Sequence, residues 1–263
     1  MLHVPAGDPV GLVLSLHGGG GTGIAQRALT GFNSVADAHD LLVVYPDGYD
    51  KSWADGRGAS PADRRHIDDV AFLVGLVSKL QHDYHIAPGH VFVTGMSNGG
   101  FMSNRLACDR ADVFAAVAPV AGTLGVGVAC APSRPVSVWE AHGTADPLVP
   151  FKGGAVRGRG GLSHSISADA MVSKWRSVDG CTGDASMEAL PDVRDGTVVQ
   201  RFVSTTCGVQ RGGLLQGRQG RPHLAGRQAI SARGRHRAHH ARARRVGSHR
   251  PVFPRARTGL ALT

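Results

Sequence analysis

The sequence predicts an α/β fold in which helices flank a mostly parallel sheet. Short apolar runs alternate with longer segments whose apolar residues have helical spacing, and this alternation is typical of parallel sheets. The chain has 263 residues, a length that suits one domain of this class followed by a C-terminal tail. The tail is a separate feature because its composition differs sharply from that of the residues before it.

The candidate elements follow in order along the first half of the chain. The predicted strands are residues 10–16, 41–45, 90–94 and 135–141, and the predicted helices are residues 32–39, 67–81 and 100–107. In the second helix, Asp68 and Asp69 lie at the end where negative charge suits the helix dipole, and an apolar stripe follows. His66 beside these two carboxylates also permits a metal site, but we favour helix capping.

A glycine-bracketed serine lies between a predicted strand and a predicted helix. Gly95, Ser97 and Gly99 form the pattern G-x-S-x-G directly after residues 90–94. Such a turn is too tight for side chains beside the serine, and it directs the hydroxyl away from the sheet. The pattern also occurs as a plain structural turn, but its position between strand and helix favours a nucleophilic Ser97.

A glycine-rich loop follows the strand at residues 10–16. Residues 17–21 read His-Gly-Gly-Gly-Gly, and a loop of this kind can direct backbone N–H groups toward an oxygen that becomes negative during acyl transfer. A phosphate-binding loop is disfavoured because no Gly-Lys-Ser/Thr follows. A merely flexible turn is the remaining alternative.

A carboxylate follows the predicted strand at residues 135–141. Asp146 comes after Ser97 in the chain, which is the order in which one class of serine hydrolases places the acid of its catalytic triad. This acid would orient a histidine and stabilise its protonated form. Asp146 also precedes a proline, so it could simply begin a turn.

Six segments in this order resemble the polyhydroxybutyrate depolymerase and feruloyl esterase group. They are residues 17–21, 44–48 (Val-Tyr-Pro-Asp-Gly), 53–58 (Trp-Ala-Asp-Gly-Arg-Gly), 68–70 (Asp-Asp-Val), 95–99 and 142–146 (His-Gly-Thr-Ala-Asp). The resemblance spans residues 2–208 and implies an α/β-hydrolase fold, a secreted or periplasmic setting, and hydrolysis of an ester without a cofactor. It implies that Ser97 is the nucleophile, that Asp146 is the triad acid, and that backbone N–H groups of Gly19 and Asn98 form the oxyanion hole.

The chain departs from this group after Gly208. The group carries its triad histidine in a Gly-Gly-His-Thr-Trp-Pro-Gly segment, which is absent here. Residues 209–263 instead contain 13 arginines and no lysine, aspartate or glutamate. Of the 29 basic residues in the chain, 16 therefore lie in residues 1–208 against 20 acidic ones, a net charge of −4. We predict a hydrolase domain at residues 1–208, truncated at its N-terminus, and a separate, disordered basic tail at residues 209–263.

The composition of the tail suggests DNA translated in a shifted reading frame. If residues 221–231 are read from the second base of each codon, Gly-His-Thr-Trp-Pro-Gly can be recovered. We therefore hypothesise a frameshift just after Gly208, which would remove the last strand, the terminal helix and the triad histidine. His223 is the nearest substitute base, although it follows Arg221 and Pro222 instead of glycines. The other tail histidines are expected to be solvated; they are His236, His239, His240 and His249.

The tail also permits a second class of function. An arginine-rich segment without acidic residues can bind phosphate backbones, but Phe253 is its only aromatic residue, so we expect adhesion to polyanions without specific nucleic-acid recognition. The alternative to an impaired serine esterase is thus an inactive remnant that binds polyanions.

For the enzyme we expect a monomer that acts on a polymeric or small ester. We expect it to bind no metal ion and no membrane, and we expect no signal peptide in this chain. Residues 53–58 are expected either near the substrate or in a plain surface loop.

Four cysteines suit a secreted enzyme. Cys108 with Cys130, and Cys181 with Cys207, are plausible pairs, although four cysteines allow three connectivities. Buried free thiols remain an alternative for the first pair.

Overall fold

The computed structural model describes residues 1–191 and 197–207 and the backbone of the strand Gly212–Arg218. Its strands are, in chain order, β1 (Leu2–His3), β2 (Gly11–Leu16), β3 (Leu41–Val44), β4 (Val91–Met96), β5 (Ala116–Val120), β6 (Ser137–Gly143), β7 (Gly154–Gly158), β8 (Gly161–Ser165), β9 (Ser186–Ala189), β10 (Val198–Ser204) and β11 (Gly212–Arg218). Its helices are α1 (Gly23–Thr30), α2 (Phe32–Ala38), α3 (Pro61–Arg64), α4 (Asp69–Tyr84), α5 (Asn98–Asp109) and α6 (Ala168–Val178), and a short 3-10 helix covers Tyr49–Lys51.

In this part of the chain, nine strands form one sheet in the order β1-β3-β2-β4-β5-β6-β11-β10-β9. The six strands from β3 to β11 in that order run parallel to one another. Antiparallel strands lie at the two edges, with β1 on β3 and with β10 and β9 beyond β11. The carboxyl ends of the parallel strands therefore meet at one edge of the sheet, which is where open α/β sheets bind their ligands.

Both faces of the sheet are covered, as β2 shows. Every residue of β2 is buried, and alternate side chains point to opposite faces. Leu12, Leu14 and Leu16 pack in the larger apolar cluster, whereas Val13 packs in a second one. Residues of α4, α5 and α6 belong to the larger cluster, and Ala36 of α2 belongs to the second. The expected α/β architecture is confirmed.

The predicted helix at residues 67–81 is α4, and its start explains the carboxylates there. Asp68 is the N-cap, and its side chain accepts a hydrogen bond of 2.9 Å from the Ala71 N–H. Asp69 accepts one of 2.6 Å from the Ala54 N–H. The capping interpretation is confirmed, and Asp69 additionally holds the loop at residues 53–58 against the helix.

One detail of the predicted fold was wrong: the last strand is present. β11 pairs in parallel with β6, with Gly213 opposite Trp139 and Gly217 opposite Gly143, and it pairs antiparallel with β10. Strand pairing uses main-chain N–H and C=O groups, and every residue of β11 has both, so this pairing does not require a particular set of side chains. The sheet therefore extends past Gly208. Residues 212–218 of the tail predicted to be disordered thus form a strand, whereas the rest of the tail and the predicted loss of the terminal helix lie outside the described residues.

Two disulfides link the four cysteines. Cys108 pairs with Cys130 and Cys181 with Cys207, so that the plausible connectivity is confirmed and the free-thiol alternative is wrong. The first bond ties the end of α5 to the loop that precedes β6, and the second ties the loop after α6 to the end of β10.

Among the described helices, none combines the length and the apolar character needed to span a bilayer.

Candidate active site

Ser97 lies on a strained turn between β4 and α5. Its φ of 53° and ψ of −115° are unusual for any residue other than glycine. The turn brings α5 so close to β2 that a Cβ on Gly99 would lie 2.4 Å from the Leu16 carbonyl oxygen. A Cβ on Gly95 would lie 2.5 Å from the Gly99 carbonyl carbon. The two glycines are therefore required by the close approach of these elements, as the sequence pattern predicts.

The glycine-rich loop at residues 17–21 lies directly beside this turn. A Cβ on Gly18 would be 3.8 Å from the Ser97 Cβ, and one on Gly19 would be 3.7 Å from the Asn98 Cβ. The Gly20 N–H donates to the Lys51 carbonyl oxygen at 2.8 Å, which fixes the far side of the loop. Within the described residues, neither the Gly19 N–H nor the Asn98 N–H donates to another protein group. In this part of the chain, both N–H groups therefore remain without a hydrogen-bond acceptor beside Ser97.

His17 holds the start of the loop and was not singled out from the sequence. Its Nδ1–H donates to the Gly18 carbonyl oxygen at 2.9 Å, and its Nε2 accepts from the Gly48 N–H at 3.1 Å. This pair of contacts requires the neutral ring. Burial lowers the pKa of His17, which favours the same form. The His17 carbonyl oxygen accepts from the Trp53 indole at 3.0 Å.

The Asn98 side chain is fixed by the loop at residues 53–58. Its Oδ1 accepts from the Trp53 N–H at 2.8 Å, and its Nδ2 donates to the Trp53 carbonyl oxygen at 3.0 Å. Nδ2 also donates to Asp55 Oδ2 at 2.6 Å. These three contacts hold the first residue of α5 in place and leave its backbone N–H available beside Ser97. The loop is thus packed against the serine turn and is not a plain surface loop.

Asp55 is itself half of a buried ion pair. Arg57 donates to Asp55 through Nε at 3.0 Å and through Nη2 at 2.7 Å, and the two side chains are 5% and 0% exposed, respectively. Burial raises the pKa of Asp55, and the Arg57 charge opposes this shift. The guanidinium lies 3.5 Å from the centre of the Phe101 ring. Sequence reasoning did not find this pair, because only the folded chain shows that both charges are buried.

Asp146 lies in the loop that follows β6. Its Oδ1 accepts from the Leu148 N–H at 2.8 Å and from the Val149 N–H at 3.0 Å, so the turn expected of an Asp-Pro sequence is present. β4, β5 and β6 are neighbours, with Met96 opposite Val120 and Val120 opposite Ala141. Ser97 and Asp146 therefore follow strands that end at the same edge of the sheet, two strands apart.

The predicted base, His223, lies outside the described residues. Within them, the Ser97 hydroxyl has no hydrogen-bond partner. β11 runs parallel to β6 with Gly217 opposite Gly143, so β11 ends at the same edge of the sheet as the strand that precedes the Asp146 loop.

Comparisons with known proteins show which hydrolases this chain is similar to. The prolyl oligopeptidase family matches residues 47–129. A protein of Nocardia uniformis subsp. tsuyamanensis that is named as an esterase is 38% identical over 153 residues, which are 57% of this chain and 43% of that protein. A protein of Aspergillus niger named as a feruloyl esterase C is 29% identical over 207 residues, or 73% of this chain and 72% of that protein.

A poly(3-hydroxyalkanoate) depolymerase C of Paucimonas lemoignei is 34% identical over 125 residues, which are 46% of this chain and 30% of that enzyme. Two of these three alignments thus span less than half the length of the relative. The solved structure of an acetyl xylan esterase from Aspergillus awamori superposes with a TM-score of 0.57 at 15% identity, covering 82% of this chain and 86% of that one. The chain therefore has the α/β-hydrolase fold, and its sequence is similar to those of proteins named as feruloyl esterase and poly(3-hydroxyalkanoate) depolymerase, which its motifs resemble.

Proposed function

We propose that this protein is a serine esterase that forms an acyl-enzyme on Ser97. The observation that carries the proposal is the strained Ser97 turn beside two backbone donors, Gly19 N–H and Asn98 N–H, that have no acceptor among the described residues. A serine on such a turn is accessible to a substrate, and paired N–H donors stabilise the negative oxygen that forms on attack. The names of the relatives support the same chemistry.

The reaction has two halves. The Ser97 oxygen attacks the ester carbonyl carbon while a base accepts the hydroxyl proton, and the carbonyl oxygen becomes negative between the Gly19 and Asn98 donors. The bond to the alcohol then breaks, and the alcohol leaves with the proton from the base. Water attacks the acyl-enzyme in the same way and releases the carboxylic acid. In this scheme Asp146 orients the base and stabilises its protonated form.

The base is the weak point of this chain. Under the frameshift hypothesis the histidine of the group is lost, and His223 is a poor substitute because Arg221 and Pro222 precede it. A serine without a hydrogen-bonded base is a weak nucleophile at neutral pH. We therefore propose that the esterase activity of this chain is impaired.

Substrate and setting are inferred from the relatives. We infer that the substrate is an ester of a hydroxyalkanoate or a hydroxycinnamate, in polymeric or small form, and that no cofactor takes part. Two disulfides favour an oxidising compartment, which is consistent with secretion. A monomer is sufficient for this chemistry because all of the proposed groups come from one chain.

The test is hydrolysis of p-nitrophenyl butyrate by three proteins. They are this chain, a version in which the upstream reading frame is restored after Gly208, and that restored version with Ser97→Ala. We expect the restored version to be active, Ser97→Ala to abolish the activity, and this chain to be slower than the restored version by roughly four to six orders of magnitude.

Other outcomes would separate the remaining hypotheses. Equal activity of this chain and the restored version would mean that His223 or another group acts as the base. If the restored version is also inactive, the esterase proposal fails. The alternative, an inactive remnant whose arginine-rich tail binds polyanions, would then be favoured.

A further inference from the structure

Two buried ionisable side chains on β6 have no role in the proposed reaction. Glu140 and His142 lie two residues apart, and therefore on the same face of the strand, and both side chains are 0% exposed. A buried charge is costly unless it is paired. The pair lies directly before the loop that carries Asp146, so we examine whether the buried pair acts on that loop.

The imidazole of His142 connects the strand to the far end of that loop. Its Nδ1 lies 2.8 Å from Glu140 Oε1, and its Nε2 lies 2.9 Å from the Val149 carbonyl oxygen. The Val149 N–H in turn donates to Asp146 Oδ1 at 3.0 Å. The ring of Phe151 packs edge-on against the imidazole, with 5.7 Å between ring centres. His142 thus contacts the carbonyl oxygen of the same residue, Val149, whose N–H holds Asp146.

Both hydrogen bonds of the imidazole require that the pair carries two protons. The partners of the ring nitrogens are a carbonyl oxygen and a carboxyl oxygen, and the carbonyl can only accept. Two forms satisfy both contacts: a protonated Glu140 facing a neutral His142, or a carboxylate facing an imidazolium. Loss of either proton leaves two acceptors facing each other and a net negative charge in the interior, which is unfavourable.

The surroundings hold the pair in this state. Burial raises the pKa of Glu140 to about 7, and the hydrogen bond and charge of His142 and the Gly122 N–H oppose this shift only in part. Burial lowers the pKa of His142, but the hydrogen bond and charge of Glu140, together with the hydrogen bond to the Val149 carbonyl, outweigh it, so the net shift is upward. Asp146 adds a smaller upward contribution.

Few other charges face the pair from the neighbouring elements that the structure describes. β5 contributes no ionisable side chain. α6 contributes Met171 and Trp175 to the apolar cluster that includes Val138 of β6. α6 carries three charged residues, Asp169, Lys174 and Arg176. Asp169 pairs with Lys152 at the surface, and Arg176 donates to Ser204.

We propose that Glu140 and His142 are positioning residues that hold the loop between β6 and Val149, and with it Asp146, in one conformation. This inference rests on the proposed role of Asp146 as the triad acid. Its test, however, measures the loop itself and requires no catalysis. The two can therefore fail separately.

The test is backbone hydrogen exchange of the full chain, measured at Leu148 and Val149, whose N–H groups donate to Asp146. In His142→Phe we expect these amides to exchange at least about tenfold faster, because the tie to the Val149 carbonyl is lost. Amides of β2 and β4 should keep their protection. Asp179→Asn is the control: it changes another buried carboxyl near the start of β6, where Asp179 accepts from the Val136 N–H at 3.0 Å.

Glu140→Gln gives a second test if His142→Phe does not fold. A glutamine amide can donate to Nδ1 while Nε2–H donates to Val149, and it does not titrate. The pKa values of Glu140 and His142 are both raised in the native state, so this state binds more protons than the unfolded state. The contribution of the pair to the free energy of unfolding therefore declines as pH rises from about 5 through 7. Loop protection in the unchanged chain should fall over this range, after correction for intrinsic exchange, whereas Glu140→Gln should keep it.

Two results would overturn the proposal. One is uniform acceleration across the whole sheet in His142→Phe, which would mean that the pair only stabilises the fold. The other is the same pH dependence of loop protection in Glu140→Gln and in the unchanged chain. If exchange behaves as expected but Asp146→Asn leaves the restored esterase fully active, the positioning of the loop stands and the triad assignment fails.

Discussion

At the scale of single residues, burial decides what an ion pair contributes, and this chain contains a matched comparison. Asp55 with Arg57 and Asp112 with Arg110 both have an Nη2–Oδ2 distance of 2.7 Å and a spacing of two residues. The side chains of the first pair are at most 5% exposed, whereas those of the second are 33% and 56% exposed. The first pair also anchors Asn98 beside Ser97.

Asp55→Ala should destabilise the protein by about 3–5 kcal/mol, because it leaves the Arg57 charge buried without a partner. Asp112→Ala should cost less than about 1 kcal/mol, because water solvates the freed arginine. Urea unfolding of both variants beside the unchanged chain measures the two values. Equal values for the two variants would contradict this account of the loop at residues 53–58.

The residues of the site that the sequence revealed are those whose role depends on local geometry. Gly95, Ser97 and Gly99 were found because a tight turn imposes glycine at fixed spacing, and the loop after β2 for the same reason. Asp55 and His142 lie in segments that carry the resemblance, but the sequence assigns no role to them or to Glu140, because their significance depends on burial by distant segments. Arg57, for example, donates to Ser163, which is 106 residues away in the chain. The local sequence offers one signal, which is that Glu140 is a charged residue within the apolar predicted strand at residues 135–141.

At the scale of elements, glycines of this chain differ in whether their surroundings leave room for a side chain. Gly99 in α5 lies against the carbonyl oxygens of Leu16 and His17, at 2.4 and 2.7 Å from an added Cβ. Gly75 lies on α4 with no atom within 4 Å of an added Cβ. Neither has a positive φ, so the two positions differ mainly in packing.

Gly99→Ala should destabilise the protein by about 3 kcal/mol or more, because backbone cannot move aside for the new methyl group. Gly75→Ala should stabilise it by about 0.5–1 kcal/mol, since alanine is the better helix former. Thermal and urea unfolding of both variants test the pair. A mild effect of Gly99→Ala would mean that α5 does not pack against β2 as closely as described.

Most elements of the first half of the chain were predictable, because apolar runs bounded by glycine or polar residues define them. The predicted strand at residues 41–45 is β3 at Leu41–Val44, and the predicted helix at residues 32–39 is α2 at Phe32–Ala38. β11 was not predicted, because Gly212–Arg218 lacks the pattern of a strand. Its place depends on pairing with β6 and β10, which the local sequence does not encode.

At the scale of the whole molecule, charge is distributed very unevenly along the chain. Residues 1–208 carry a net charge of −4, whereas residues 209–263 carry 13 arginines and no acidic residue. The sequence pI of about 10.1 is therefore a property of the C-terminal residues alone. A chain that ends at Arg218 keeps all strands of the described sheet and loses 11 of the 13 arginines.

We expect the full chain to bind heparin at low salt and the chain that ends at Arg218 to pass through the column. Elution should need only moderate salt, because contacts between solvated charges are screened at about 10 Å in 0.1 M salt and at about 3 Å in 1 M. Binding to single-stranded DNA of different sequences should be equal, because Phe253 is the only aromatic residue of the tail. Retention of the shortened chain would place the polyanion site on the folded domain instead. A marked preference for one sequence would mean that the tail does more than attract phosphates by charge.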